Sequence, residues 1–338
     1  MSKEIIILAI ESSCDDTSAA ILKNSTILSN VIAGQKVHEQ YGGVVPELAS
    51  RAHQQNIVPV VDAAIKNAGI SKEMIDAVAF TRGPGLLGSL IVGASFAKSF
   101  ALGLNLPLLD VNHMRGHVLA HFIDDGKPNP SFPFLCLTVS GGHTQIVLVR
   151  SHLEMKIIGT TIDDAAGEAF DKSAKMLGIP YPGGPFIDKY AQLGDATKFT
   201  FTKPKIELYN FSFSGLKTNI LQFLQRNEKQ NPHFMEENRN DICASIQKTI
   251  IDILFEKLSL AAKQLGIKEI AIAGGVSANS LLRSELTRIG KEKGWNVYIP
   301  KFEYCTDNAA MIAIAGYYQL LNEQFANQKS SPSARMEF

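Results

Sequence analysis

The sequence predicts an α/β fold of two lobes, and three observations carry that prediction. Aliphatic and β-branched runs at residues 5–10, 77–81, 134–139 and 269–273 read as buried strands. Each runs straight into a short polar or glycine-bearing turn, and helical spacing follows several of these turns. The second half also opens as the first half does, with strand, polar turn and returning strand. A chain of 338 residues exceeds what one hydrophobic core usually serves, which favours two domains as well.

Taken in order, residues 5–10 form a first strand, Glu11 to Asp16 a polar turn, and residues 17–22 a returning strand. Gly42-Gly43 marks a loop before a long helix over residues 47–67. Residues 77–81 are a second buried strand entering the Arg82-Gly83-Pro84-Gly85 turn, followed by a small-residue helix at 89–102. A strand at 106–111 and a helix at 112–122 complete the first half. In the second half, residues 134–139 and 144–149 are strands around Ser140-Gly141-Gly142-His143. Helices follow near 165–177, 185–193 and 241–265, then the strand 269–273 entering Gly274-Gly275. A helix at 278–293, a strand at 295–299 and a closing helix at 308–321 end the ordered pattern. Residues 327–338 are polar and read as a frayed tail.

Composition excludes several classes. Lys plus Arg equals Asp plus Glu at 33 each, so no global positive field marks a nucleic-acid coat protein, although a local basic face needs only a few cations. The four cysteines form no CxxC pair, which argues against a zinc knuckle or a disulfide framework and suits a cytoplasmic setting. No run approaches the ~20 apolar residues of a membrane span, so no membrane partner is expected.

Three constellations can carry chemistry. His113 and His117 stand four apart on one helix face, so both imidazoles can reach one ion or make unrelated hydrogen bonds. No Glu follows the first His, so a zincin-type peptidase is a poor reading. Asp307, at a helix mouth, is either a third ligand or the helix N-cap. The glycine turns Ser140-Gly141-Gly142, Gly183-Gly184 and Gly274-Gly275 let backbone N–H groups approach phosphate oxygens, or simply make turns. Glu11 and Asp15, in the acidic turn after the first strand, are candidate catalytic carboxylates, and Asp16 is as well explained as solvated. Asp163-Asp164 reads as an N-cap pair for the helix that follows, and Asp171 lies two turns into that helix.

These motifs, in this order, resemble a known family. Glu11-Ser12-Ser13-Cys14-Asp15-Asp16-Thr17, Gly83-Pro84-Gly85, His113-Met114-Arg115-Gly116-His117 and Ser140-Gly141-Gly142-His143-Thr144 are four of them. Asp171-Lys172, Tyr181-Pro182-Gly183-Gly184-Pro185 and Phe211-Ser212-Phe213-Ser214-Gly215-Leu216-Lys217-Thr218 follow, then Gly274-Gly275-Val276-Ser277-Ala278-Asn279 and Cys305-Thr306-Asp307-Asn308. Together they are similar to the bacterial TsaD family of tRNA threonylcarbamoyladenosine transferases, over residues 5–316.

The resemblance implies an actin-like ATPase fold, shared with sugar kinases and heat-shock chaperones, with a cleft between two lobes. The expected lobes are residues 1–125 with about 310–338, and residues 126–309. It implies that His113, His117 and Asp307 bind one divalent metal, Fe²⁺ or Zn²⁺. It implies that Thr138, Val139, Ser140, Gly141, Gly142, Asp171, Gly184, Asp188 and Asn279 contact an adenine nucleotide within the substrate. The reaction implied is transfer of threonylcarbamoyl from L-threonylcarbamoyl-adenylate to N6 of adenosine 37 in tRNAs reading codons that begin with A, releasing AMP. The partners implied are tRNA, a metal-less TsaB-like paralogue and a TsaE-like small ATPase. A small-molecule kinase or carbamoyltransferase of the same superfamily, and a non-catalytic scaffold, are the competing readings.

Overall fold

The computed structural model describes residues 4–338. Two compact units share the chain. The first comprises Met1–Pro130, Arg150–Met155 and Pro300–Phe338, and the second Ser131–Val149 and Lys156–Ile299. The chain re-enters the first unit at Pro300 rather than near residue 310, so Asp307 belongs to the same unit as the two histidines.

In the first unit β1 (Ile6–Glu11), β2 (Thr17–Lys23) and β3 (Thr26–Ala33) form an antiparallel meander. Strands β4 (Ala77–Gly83) and β5 (Leu108–Asn112) continue it in parallel from β1, in the order β3-β2-β1-β4-β5. Helices α1 (Pro46–Asn67) and α2 (Leu87–Leu104) cover one face, where Leu8, Ile10 and Phe80 meet Val61, Ala94 and Ala97. Alternation along the strands turns Ala79 and Leu109 to the other face, where Gly316 of the closing helix Ala309–Leu321 packs on them. The short helix α3 (His113–Leu119) starts where β5 ends. By length and composition α2 is apolar enough to cross a membrane, contrary to the sequence expectation. Its Leu90, Gly93, Ala94, Ala97 and Ala101 are nonetheless buried in this unit's core layer, as in a core helix.

The second unit repeats the plan strand for strand. β6 (Phe134–Val139) pairs antiparallel with β7 (Thr144–Val149), and β8 (Met155–Thr160) lies beyond it. Strand β9 (Glu269–Ala273) runs parallel to β6, and β10 (Asn296–Tyr298) parallel to β9, giving β10-β9-β6-β7-β8. Its helices are α4 (Ala166–Met176), α5 (Gly183–Ala191), α6 (Ser214–Glu228), α7 (Phe234–Glu237), α8 (Arg239–Leu265) and α9 (Ser280–Lys293). Helix α8 is buried along most of its length among Phe170, Phe213, Ile220 and Leu282.

Several expectations give way here. The third strand of each meander, β3 and β8, has no buried run to announce it, because each is only partly covered. Asp163 and Asp164 do not cap α4. Asp163 accepts bonds from the Phe213 N–H at 2.8 Å and the Ser212 hydroxyl at 2.5 Å, so it fixes the start of α6. Asp164 pairs with Lys172 at 2.7 Å. The tail is not frayed: Ser333 N–H donates to Arg82 O at 2.9 Å and Gly85 N–H to Ala334 O at 3.3 Å. The Asn112 side chain donates to Glu337 O at 2.9 Å, tying the tail to the start of α3.

Candidate functional site

The first unit gathers its polar side chains at the carboxyl ends of β1 and β5. Asn112, one residue before His113, caps α3 by accepting the Arg115 N–H at 3.1 Å, which fixes the helix start at His113. One turn later His117 falls on the same face, and the two rings meet edge-on with centroids 4.8 Å apart. Both imidazoles are buried. Asp307 arrives from the other end of the chain, and its Oδ1 lies 3.3 Å from His113 Nε2 and 3.2 Å from His117 Nε2. It does not cap the closing helix. Asn308 does so, accepting the Met311 N–H at 3.0 Å and leaving the Asp307 carboxylate aimed at the histidines.

Glu11 stands behind His113. It is fully buried, and its Oε2 lies 3.0 Å from His113 Nδ1 while accepting the Thr81 hydroxyl at 2.6 Å. Its Oε1 accepts the Ser13 N–H at 2.5 Å. Burial opposes charge on His113, but the carboxylates of Asp307 and Glu11 outweigh it and hold the ring's pKa well above its usual value. Burial pushes His117 the other way, below its usual value. Burial also works against the Asp307 carboxylate, yet the His113 and His117 rings keep it below the usual carboxylate range.

The donor set fits a divalent metal ion. One ligand atom from each of His113, His117 and Asp307 lies within 4.8 Å of the others. Glu11 fixes the His113 ring through Nδ1, which turns Nε2 towards Asp307 and makes it the atom available to an ion, as carboxylates behind metal-binding histidines do. Two imidazoles and one carboxylate leave coordination positions open.

Asp15 sits in the same turn as Glu11, partly exposed, and is not one of the converging ligand groups. Asp16 is pushed up to about 7 by burial and by Asp15 beside it. A residue that the sequence reading missed holds this turn. His53 of α1 is fully buried, with Nε2 3.0 Å from Cys14 O and Nδ1 2.8 Å from the Thr17 hydroxyl. A carbonyl only accepts, so Nε2 carries the proton and Nδ1 accepts from Thr17. The Ser89 hydroxyl also donates to Cys14 O at 3.0 Å, and Leu86 N–H to Ser13 O at 2.7 Å. Gly85 is required at that contact, because a Cβ there would lie 2.4 Å from Ser13 O.

The second unit carries a cavity of about 280 Å³. It is lined by Gly141, Gly167, Phe170, Asp171, Pro182, Gly184, Pro185, Asp188, Gly275, Val276, Ala278 and Asn279. Of the nine residues expected to contact a nucleotide, Gly141, Asp171, Gly184, Asp188 and Asn279 line it together. Thr138 and Val139 are buried in β6, and Ser140 and Gly142 form the turn beyond them without being lining residues. Gly274 lets this turn and the end of β9 close up: its φ is +86°, and a Cβ would lie 2.5 Å from Val139 O.

Asp171 reaches from α4 to the start of α5, where its Oδ1 accepts Gly183 N–H at 2.8 Å and Gly184 N–H at 3.3 Å. Burial raises its pKa against those two bonds. Asp188 accepts the Ser280 N–H at 3.0 Å and its hydroxyl at 2.6 Å. The sequence reading also missed Gln247 of α8, which donates to Asp188 at 3.1 Å and accepts from Asn279 at 2.8 Å. Apolar walls, glycine backbone and two acceptor carboxylates therefore line one cavity.

The profile of the family TsaD, described as tRNA N6-adenosine threonylcarbamoyltransferase, matches residues 26–314. A protein of that name from Christiangramia forsetii is 62% identical over 337 residues, covering 99% of both chains. Another from Porphyromonas gingivalis is 60% identical over 339 residues, again covering 99% of both. Among solved structures, full-length HypF in its phosphate- and nucleotide-bound form is similar with a TM-score of 0.64 at 14% identity, over 96% of this chain and 48% of that one. Component A of the (R)-2-hydroxyglutaryl-CoA dehydratase of Acidaminococcus fermentans gives 0.53 at 16% identity, over 94% of this chain and 99% of that one. Likeness at such low identity shows the fold alone, an actin-like ATPase fold.

Proposed function

This chain belongs to the TsaD family, the tRNA N6-adenosine threonylcarbamoyltransferases, and from that premise we propose how its residues carry the reaction. The activity is transfer of a threonylcarbamoyl group to N6 of an adenosine in tRNA. The donor we assign is L-threonylcarbamoyl-adenylate, and the acceptor is adenosine 37. The N6 nitrogen attacks the carbamoyl carbon, the bond from that carbon to the phosphate oxygen breaks, AMP leaves and N6 gives up one proton. An exocyclic aromatic amine is a weak nucleophile, so positioning and electrostatic activation do most of the work.

The second unit holds the adenylate part of the donor. Asp188 and Asp171 accept from its polar hydrogens, Phe170 and Val276 offer apolar cover, and in the Ser140-Gly141-Gly142 turn the glycine backbone offers N–H groups to the phosphate while the Ser140 N–H closes the turn on His143 O. Thr138 and Val139 support that turn from β6. In the first unit His113, His117 and Asp307 hold one divalent ion, Fe²⁺ or Zn²⁺, which when bound supplies Lewis-acid polarisation of a donor oxygen. Glu11 has both oxygens engaged and serves to orient His113. Asp15 keeps a partly exposed carboxylate and is the group we assign to take the N6 proton. The balanced charge of the chain supports tRNA binding shared with partners, for which the TsaB-like paralogue and the TsaE-like ATPase are our choice, in the cytoplasm.

The observation that carries this reading is the approach of two buried imidazoles and the Asp307 carboxylate to within ligand distance of one another. A scaffold has no use for such a set. The test is incubation with unmodified tRNA and the adenylate donor, with and without partners, followed by mass analysis of the nucleosides. Modified adenosine with wild type, and ~10²–10³-fold slower formation of it with His113→Ala, is the expected result. ATP consumption on a small soluble acceptor, with tRNA left unmodified, would favour the kinase reading.

A further inference from the structure

Helix α8 is buried along most of its length, and Gln247 sits in its first half among the buried Ile246 and Ile250, only 3% exposed. A buried amide there needs partners for both ends of its head group. It has them, and their chemistry fixes which way the amide points. The Leu282 N–H donates to Asn279 Oδ1 at 3.0 Å, so the other end of that side chain is its NH₂. That NH₂ donates to Gln247 Oε1 at 2.8 Å. The Gln247 NH₂ then faces Asp188 Oδ1 at 3.1 Å, and a carboxylate can only accept. The result is a one-way series of donors from the first turn of α9, through Asn279 and Gln247, to the carboxylate of Asp188 on α5.

Both ends of this series line the cavity, whereas Gln247 does not. We propose that Gln247 is a positioning residue for the nucleoside part of the substrate, locking Asp188 and Asn279 in their binding orientation from behind the pocket wall. A carboxylate offers about four acceptor positions. On Asp188, Gln247 and the Ser280 hydroxyl occupy Oδ1, and the Ser280 N–H occupies one side of Oδ2. One position on Oδ2 is left for a hydroxyl donor such as a ribose. Without Gln247 the carboxylate can rotate about its terminal torsion and Asn279 loses its acceptor, so the remaining position is no longer held in place.

This inference rests on the nucleotide reading of the cavity, and its test separates the two. The holoenzyme is titrated calorimetrically with AMP, as wild type, Gln247→Leu and Gln247→Glu, between pH 5.5 and 8. The loss of one buried hydrogen bond to a charged group corresponds to an affinity about 10-fold weaker for Gln247→Leu, at every pH. The loss should appear in the KM for the adenylate donor more than in kcat. Gln247→Glu sets two carboxylates at hydrogen-bond distance, which ionise together only with difficulty. At pH 8 its AMP binding falls by 10-fold or more. At pH 5.5 one shared proton restores a donor to Asp188 and an acceptor for Asn279, and affinity returns towards wild type. Affinities are compared with wild type at the same pH, which cancels the titration of the AMP phosphate at about pH 6, and a residue that merely fills space leaves that ratio unchanged with pH. Wild-type protein that fails to bind AMP overturns the nucleotide reading and this inference with it. Wild-type binding that both variants keep within 2-fold, or a Gln247→Glu loss that pH does not reverse, overturns this inference alone.

Discussion

The Glu11 carboxylate lies 3.0 Å from Nδ1 of His113, on the side of the ring away from Asp307. Its other bonds, from the Thr81 hydroxyl and the Ser13 N–H, leave it little freedom to move. Glu11 therefore sets the direction of the His113 ring in the proposed metal site, and replacing it should loosen metal binding without unfolding the unit. Partners of this kind typically govern metal affinity by ~10–100-fold. Glu11→Gln keeps an acceptor but loses the charge, and is expected to weaken metal affinity by about 10-fold. A competition titration against a chromophoric chelator, with circular dichroism alongside, checks this. Unchanged affinity would return Glu11 to the list of catalytic bases.

His113→Ala and Asp307→Ala each remove a ligand atom and should lower transfer by ~10²–10³-fold while the far-ultraviolet dichroism stays native. The pH dependence of metal uptake follows from the same geometry. In the metal-free protein His113 keeps its proton well above the usual imidazole range, because Asp307 and Glu11 outweigh its burial. A metal ion must displace that proton. Below the raised pKa the affinity should therefore climb by about 10-fold per pH unit, with about one proton released per ion. Potentiometric or calorimetric titration in buffers of different ionisation enthalpy measures that proton. Uptake that is flat from pH 6 to 8 would contradict the assignment of His113 as a ligand.

His53 makes a separate pH prediction. Burial lowers its folded-state pKa below 6.5, against the bond from Nε2 to Cys14 O. The folded protein then binds fewer protons than the unfolded chain in the window between the two values. Stability in that window rises with pH, so it is complete above about 6.5 and lost as pH falls towards the folded value. His53→Leu should cost about 1–3 kcal/mol at neutral pH, because it strands the Thr17 hydroxyl and removes one of the two donors to Cys14 O. It should also flatten the acid side of the stability curve. Denaturant melts of both proteins at pH 5, 6 and 7.5 decide it, and parallel curves would exclude His53 as a source of the slope.

Much of this was legible in the sequence, and the exceptions share a cause. The strands β1, β4, β6 and β9 are buried runs, and His113 with His117 shows the helical period directly. Asp307 is 190 residues from His117, and spacing alone divides it between ligand and cap, whereas in the fold Asn308 does the capping. His53 and Gln247 stayed hidden because one polar residue in a helical sequence reads as part of a solvated face. Only the fold shows that each is buried against a polar partner. The tail was misread because backbone groups make most of its bonds, such as Ser333 N–H to Arg82 O, and backbone pairing leaves no side-chain signature.

Asp16 gives the last prediction, and its sign is opposite to that of His53. Burial and the neighbouring Asp15 raise its folded pKa to about 7, against 3.8 for a free side chain. Between those values the folded protein holds a proton that the unfolded chain releases, so folding is increasingly disfavoured as pH rises through the window. The full shift corresponds to about 4 kcal/mol, and partial solvent access reduces the expected effect to about 1–2 kcal/mol. Asp16→Asn should therefore stabilise the metal-stripped protein at pH 8 by that amount, and the gain should vanish below pH 4. Because Asp307 and Glu11 contribute to the raised value, metal binding at the neighbouring centre should shrink the gain at pH 8. Thermal melts of both proteins at pH 4 and 8, with and without metal, measure each part. A variant no more stable than wild type at pH 8 would show that Asp16 is solvated and ionises at its ordinary value.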